Sequence, residues 1–266
     1  MEWRETDGVR WLEAELPGAR AAFSTRLGGV SAAPFDSLNL GILTDDGRAA
    51  VYENRRRLAS ALGHAPDRIA FGRQVHGAEL ATHAGPQRCE FAADSADNSH
   101  RDADPPEVDG HVIAEPGLAG LVFVADCLPV ALKGPSGVAM LHCGWRPLAA
   151  GIVAKGAAAI GATAAAIGPG IGPCCYEVGD EVLSAFAELG PGIAVDGPKT
   201  SAIQTQSARR HLDLGEVARR LLAGAGVDQV ESADLCTSCN PELFYSHRRD
   251  AGRSGRQAGL AWIEAG

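Results

Sequence analysis

Positive charge is what this 266-residue chain has too little of: 24 Lys+Arg stand against 33 Asp+Glu, a formal net charge of −9 with neutral histidine. That balance argues against a general binder of nucleic-acid polymers or anionic membranes, which reward a basic face. An apolar N-terminal stretch is also missing. Residues 1–10 carry Glu2, Arg4, Glu5 and Asp7, so no signal peptide is expected. The longest uncharged run, residues 156–176, approaches the roughly 20 residues of a membrane span. Its second half, however, holds Gly168, Pro169, Gly170, Gly172 and Pro173, which would leave backbone groups unpaired in lipid. A buried strand and a turn are expected there instead. Seven cysteines, an odd number, without a secretion signal point to a reducing compartment, with cytoplasm as the default.

What is present suits a folded core: 45% hydrophobic and 21% charged residues. Apolar runs of strand length alternate with helical patterns, which predicts a mixed α/β architecture. Strands are expected at 21–25, 69–75, 120–125, 130–133, 138–142 and 259–263, and helices at 49–62, 148–160, 178–189 and 214–223. The sequence Gly134-Pro-Ser-Gly137 reads as a hairpin turn. Residues 87–107, with Asp94, Asp97, Asp102, Asp104, Pro105 and Pro106, read as an acidic loop insertion. Neither a repeat nor a clean linker interrupts the chain, so residues 1–266 are expected to form a single domain.

Three potential metal ligands each follow an apolar strand-like run: His76, Cys127 and His142. Strand ends are where α/β sheets place their sites, and two imidazoles with one thiolate leave a fourth tetrahedral position of zinc open, the catalytic pattern. Taken singly, each has an ordinary structural reading, as a small buried hydrophobe or a hydrogen-bonded surface imidazole. Cys174-Cys175 with Cys236-x-x-Cys239 offers four more sulfurs. Adjacent cysteines do not readily point at one ion, so packing thiols are expected there, with a structural zinc as the lesser alternative. The segment Arg26-Leu-Gly-Gly-Val-Ser31 has the ingredients of a phosphate cradle, with a plain Gly-Gly turn as the alternative. Asn54-Arg-Arg-Arg57 and His247-Arg-Arg-Asp250 are short basic clusters able to offer an arginine fork.

Longer strings are more specific. Ser24-Thr-Arg-Leu-Gly-Gly-Val-Ser31, Ser37-Leu-Asn-Leu-Gly41, Glu53-Asn-Arg-Arg-Arg-Leu58 and Gln74-Val-His-Gly77 occur in order, followed by Ala125-Asp-Cys-Leu-Pro-Val130 and His142-Cys-Gly-Trp-Arg146. Ile167-Gly-Pro-Gly-Ile-Gly-Pro-Cys-Cys-Tyr-Glu-Val178, Cys236-Thr and Phe244-Tyr-Ser-His-Arg-Arg-Asp250 complete the set. From about Phe23 to Trp262 the chain resembles the laccase-domain family, also called multicopper polyphenol oxidoreductases, purine nucleoside phosphorylases or peptidoglycan editing factors. The resemblance implies a single mixed-sheet α/β domain akin to the toxin-type cysteine hydrolase fold, and a metal held by His76, Cys127 and His142. It also implies phosphorolysis of adenosine, inosine and methylthioadenosine, and deamination of adenosine. Asn39 and Arg57 lie in motifs expected to border the nucleoside pocket. Pro147 and Cys143 depart from the family pattern, which has Gly and a small residue there, and the 87–107 segment is longer than typical.

The leading expectation is therefore a zinc enzyme acting on a purine nucleoside and phosphate. Cys127, His142 and Asp126 would form its catalytic group, Asp126 orienting water or a leaving group, and Arg26, Arg57 and Arg146 would hold the anion. Copper-dependent phenol oxidation is an alternative, since two His and one Cys also suit one copper. Two further alternatives are a Cys127–His142 amidase acting on cell-wall precursors and a metal-stabilised binding protein without turnover.

Overall fold

Side chains on the central strands alternate between two faces, and each face meets a different layer. The computed structural model describes residues 1–85, 105–196 and 210–264. Numbered in chain order, strands β1 (Glu2–Thr6), β2 (Val9–Leu16), β3 (Ala19–Ser24), β14 (Gln257–Ile263), β7 (Ala119–Val124) and β4 (Ile69–Ala70) form one six-stranded sheet, in that spatial order. A second has the order β13 (Gln229–Ser232), β10 (Ala164–Ile167), β8 (Leu128–Gly134), β9 (Gly137–Cys143), β6 (Gly110–Ile113) and β5 (Leu80–His83). A two-stranded ladder joins β11 (Ala194–Asp196) to β12 (Arg210–Leu212). Pairing is antiparallel except for β4 with β7, β5 with β6 and β10 with β13, so both large sheets are mixed.

The inner faces meet in one buried cluster, Ala14, Ala21, Phe23, Val122 and Val124 against Ala131, Val138, Met140, Ala164 and Ala166. One residue along, the side chains turn outward. Val130, Leu132, Ala139 and Leu141 pack on the helices α2 (Trp145–Ala149), α3 (Ile152–Ile160) and α5 (Leu214–Gly224). On the other side, Ala22, Leu121 and Leu260 pack with Leu38, Leu40 and Leu58, the last from helix α1 (Arg48–Ala61). The layers therefore run helix, sheet, sheet, helices.

Small residues bring the sheets close. A Cβ added at Gly259 of β14 would lie 2.4 Å from Pro129 Cβ and 3.2 Å from Met140 Sδ across the gap. Gly259→Ala is expected to destabilise by about 1–3 kcal/mol, the usual cost of overpacking, read as a lower urea midpoint at constant slope. A midpoint equal to that of the parent would mean that the sheets separate without strain.

Several sequence expectations need correction. The helix expected over 148–160 is two, because Gly151 takes φ +84° between α2 and α3. That expected over 178–189 is only α4 (Asp180–Ser184) and a short 3-10 turn at Ala187–Leu189. Extended structure after residue 69 stops at Ala70, apart from an isolated bridge between Arg73 and Glu107. The β8–β9 hairpin forms as expected, pairing Gly134 with Gly137. The acidic segment 87–107 lies, except for 105–107, outside the described residues. Among the described residues, no helix is long and apolar enough to cross a membrane.

Candidate metal centre

Cys127 occupies the turn between β7 and β8, just after Asp126, whose φ is +92°. His142 is the penultimate residue of β9 and shares the inner face of Val138 and Met140. His76 does not end a strand as expected; it sits in the loop after β4 with φ +59°. Two devices hold that loop. The Gln74 amide pairs with the Phe123 backbone of β7, donating to its oxygen at 2.8 Å and accepting from its N–H at 2.7 Å. The second device is a buried carboxylate, Asp109. As a result, ligand atoms of His76, Cys127 and His142 lie within 4.8 Å of one another, and the two imidazole centroids are 4.9 Å apart.

Asp109 is 0% exposed, and its side chain accepts backbone N–H bonds from Val75 (3.0 Å), His76 (3.1 Å) and Gly77 (2.8 Å). It also takes the Nδ1–H of His142 at 2.7 Å. One carboxylate thus folds the His76 loop and fixes the His142 tautomer, leaving Nε2 for an ion, the outer partner that metal-ligating histidines usually have. Sequence reasoning did not select Asp109. Its partners are mostly backbone groups some 32–34 residues away, and no local spacing reveals them.

The electrostatics favour a thiolate. Burial opposes ionisation of Cys127, but the His142 and His76 imidazoles outweigh it and bring the thiol down to about 6. Burial likewise opposes charge on His142, yet the Cys127 thiolate and Asp109 raise it to about 9. Thiolate is the form that ligates metals, and metal binding releases the competing imidazole proton. The donor set can hold a metal ion with a fourth tetrahedral position open, and His76 lies exposed on the solvent side.

Around this trio, Asp126 is nearly buried. Its Oδ1 accepts from Thr237 Oγ1 at 2.6 Å and its Oδ2 from the Arg248 N–H at 2.7 Å. Tyr176 lies under the Arg248 guanidinium, 5.3 Å from the ring centroid. Burial and the Cys127 charge push its phenol up to about 12, with Arg248 and Arg146 opposing. Arg146 is exposed, its guanidinium lies 4.4 Å from the centroid of the Trp145 ring, and that guanidinium makes no ion pair or hydrogen bond among the described residues.

A family model described as multi-copper polyphenol oxidoreductase laccase matches residues 20–264. The chain belongs to this laccase family. It is 38% identical over 253 residues to the purine nucleoside phosphorylase YfiH of Escherichia coli K12, covering 92% of this chain and 94% of that protein. To the purine nucleoside phosphorylase YlmD of Geobacillus stearothermophilus it is 37% identical, covering 95% and 93%. The crystal structure of the Bacillus licheniformis hypothetical protein YfiH superposes with a TM-score of 0.83 at 30% identity, covering 98% and 99%, and that of Geobacillus YlmD with 0.80 at 34%, covering 98% of each.

With the laccase family in hand, its motifs acquire physical reasons. A Cβ at Gly144 would lie 2.8 Å from Cys127 Sγ, so the glycine of His142-Cys-Gly-Trp-Arg146 clears space for the sulfur. Pro147 is the third residue of α2, where an N–H has no intrahelical acceptor to lose. Cys143 is fully buried in the helix-side core.

The expected anion holders divide. Arg26 donates to the backbone oxygens of Asp36 (2.6 Å) and Pro241 (3.0 Å), pairs with the Asp36 carboxylate and covers the Tyr245 ring. Arg57 pairs with Glu53 at 2.7 Å and reaches the Gly28 oxygen at 3.3 Å. Asn39 is 0% exposed; its amide donates to Thr44 and Asp46 and accepts from the N–H groups of Gly41 and Arg256, so its capacity is used inside the protein. The phosphate cradle at 26–31 is corrected to a turn. The N–H groups of Leu27, Gly29, Val30 and Ser31 are taken by Thr25 Oγ1, Ser37 Oγ, Asn54 Oδ1 and the Ser37 oxygen. Within the 54–57 cluster, Arg55 is buried near the rings of Phe71 and Phe123. A further correction concerns Cys174, Cys175, Cys236 and Cys239, whose sulfurs converge within 4.8 Å. Adjacent cysteines can share a target here because they lie in a tight turn, not an extended segment.

Proposed function

We propose that the chain is a zinc-dependent purine nucleoside phosphorylase that also deaminates adenosine, working where His76, Cys127 and His142 meet. The observation that carries this reading is the His2Cys donor set with Asp109 behind it, in a chain alignable over nearly its whole length with relatives named purine nucleoside phosphorylase. Two imidazoles and a thiolate are zinc donors, and a bound zinc ion supplies Lewis acidity that brings the pKa of water toward about 7.

The chain's own residues then have definable tasks. Asp109 keeps Nδ1 of His142 protonated and Nε2 facing the site. Asp126 ties the turn bearing Cys127 to Thr237 and to the backbone of Arg248, so it orients the site by holding its wall. Arg146, exposed and uncommitted among the described residues, meets phosphate, and Tyr176 with Arg248 above it lines the same wall. Phosphorolysis breaks the bond from the ribose C1′ to the purine nitrogen, forms a C1′–O bond to phosphate and protonates the leaving base. Arginine lowers its barrier by fixing the anion next to the developing positive charge on the sugar. Deamination adds water to the purine carbon that bears the amine and releases ammonia.

Adenosine incubated with the purified metal-loaded protein should give adenine and ribose 1-phosphate only when phosphate is present, and inosine in its absence. Arg146→Ala is expected to raise the KM for phosphate by about 10-fold or more, the worth of a charge-assisted hydrogen bond, while the nucleoside KM stays close to the parent value. Absence of all three products would overturn the reading. Copper-dependent phenol oxidation is a second reading, favoured by the family description and by a donor set that also suits copper. Phenol turnover that appears with added copper, from a protein inert toward adenosine, would promote it.

A further inference from the structure

We infer that Cys174, Cys175, Cys236 and Cys239 form a second metal site, a tetrathiolate zinc centre that clamps two turns beside the first site. Their sulfurs all lie within 4.8 Å of one another, and Cys239 Sγ is 3.4 Å from both Cys174 Sγ and Cys175 Sγ. A tetrahedral zinc with Zn–S bonds of about 2.3 Å spaces its sulfurs about 3.8 Å apart, whereas a disulfide needs about 2.0 Å. The arrangement is that of an ion's ligands.

The backbone is built for this convergence. The N–H groups of Cys175 and Tyr176 both bond to the Gly172 oxygen, at 3.0 and 3.1 Å, winding the turn so that neighbouring side chains point the same way. Glycine at 172 suits this close approach, because a Cβ would lie tight against Cys236 Cβ at 3.2 Å and Cys174 Sγ at 3.3 Å. Opposite, Cys236 and Cys239 have the C-x-x-C spacing of a zinc knuckle. The Gly172 N–H donates to Cys236 Sγ at 3.2 Å, a bond that favours thiolate. The two turns are stitched by Thr237 N–H to the Gly170 oxygen (2.9 Å) and Gly170 N–H to the Leu235 oxygen (3.2 Å).

Packing does not account for these four thiols. Cys143, a packing cysteine, is 0% exposed inside the apolar core, whereas Cys174 and Cys239 are exposed and none of the four belongs to a core cluster. Thiols so placed are open to oxidation unless an ion occupies them. The clamp also has a local task. Thr237, inside the C-x-x-C loop, donates to Asp126 next to Cys127. A second ion therefore positions the wall of the first site whatever reaction occurs there.

Elemental analysis of the full chain purified under reducing conditions should find about two zinc ions per molecule. A His76→Ala/His142→Ala variant should keep about one, and its cobalt-substituted form should show the strong thiolate-to-metal absorption of several sulfurs. Cys236→Ser/Cys239→Ser should also keep about one ion, with a lower Tm. The proposal is overturned if the parent holds a single ion and the histidine variant holds none, or if thiol counting finds a disulfide among the four cysteines. The histidine variant keeps the test decisive even if the serine variant does not fold.

Discussion

Cys127→Ala is expected to lose the ion at the first site and to lower kcat/KM by about 10³-fold or more. Lewis-acid stabilisation is worth several kcal/mol, and each 1.36 kcal/mol or so is tenfold in rate. The fold should survive, because Cys127 only fringes the inter-sheet core and its removal leaves a small void at the edge. Rate and metal content measured on the same sample separate the possibilities. Loss of both together fits a ligand; full metal with no rate would mark a nucleophile, and full metal with full rate would remove Cys127 from the mechanism.

Asp109→Ala should damage both fold and site. Alanine strips an acceptor from the N–H groups of Val75, His76 and Gly77 and from Nδ1 of His142, in a place with no access to water. Breaking a buried hydrogen-bonded charge pair in this way costs about 3–5 kcal/mol, and removing a ligand's outer partner lowers metal affinity about 10–100-fold. Urea midpoints should fall accordingly, and a competing chelator should strip the ion at lower concentration. Asp109→Asn keeps one oxygen acceptor and nearly the same shape, so it should retain more stability than alanine while still binding metal weakly. If Asp109→Ala matched the parent in both measurements, the carboxylate would be a bystander.

The three candidate ligands were legible as a group because each is a chemically distinctive residue beside an apolar run; the structure brings their ligand atoms within 4.8 Å of one another, and both Cys127 and His142 sit beside strand ends. His76 was found by a route that the structure replaces: not a strand, but a loop folded on a carboxylate. Asp109 itself left no local signal. Nor did β1, whose five residues are all exposed and so lack the alternation that marks a half-buried strand. The convergence of the four cysteine sulfurs was not legible, because adjacent Cys174 and Cys175 point apart in an extended chain and together only in the turn wound on the Gly172 oxygen. Arg26 and Asn39 stand in family motifs, yet their hydrogen bonds are spent within the protein; a motif marks constraint and does not say whether the constraint is structural or chemical.

The three ligands of the first site come from both layers of the sandwich. His76 is moored through Gln74 to β7 of one sheet, Cys127 lies where the chain crosses between sheets, and His142 belongs to β9 of the other. An ion bound there is a rivet between the layers, and its affinity adds to the free energy that keeps them together. Chelation should loosen the sandwich as well as stop the chemistry, read as a lower urea midpoint for the chelated protein.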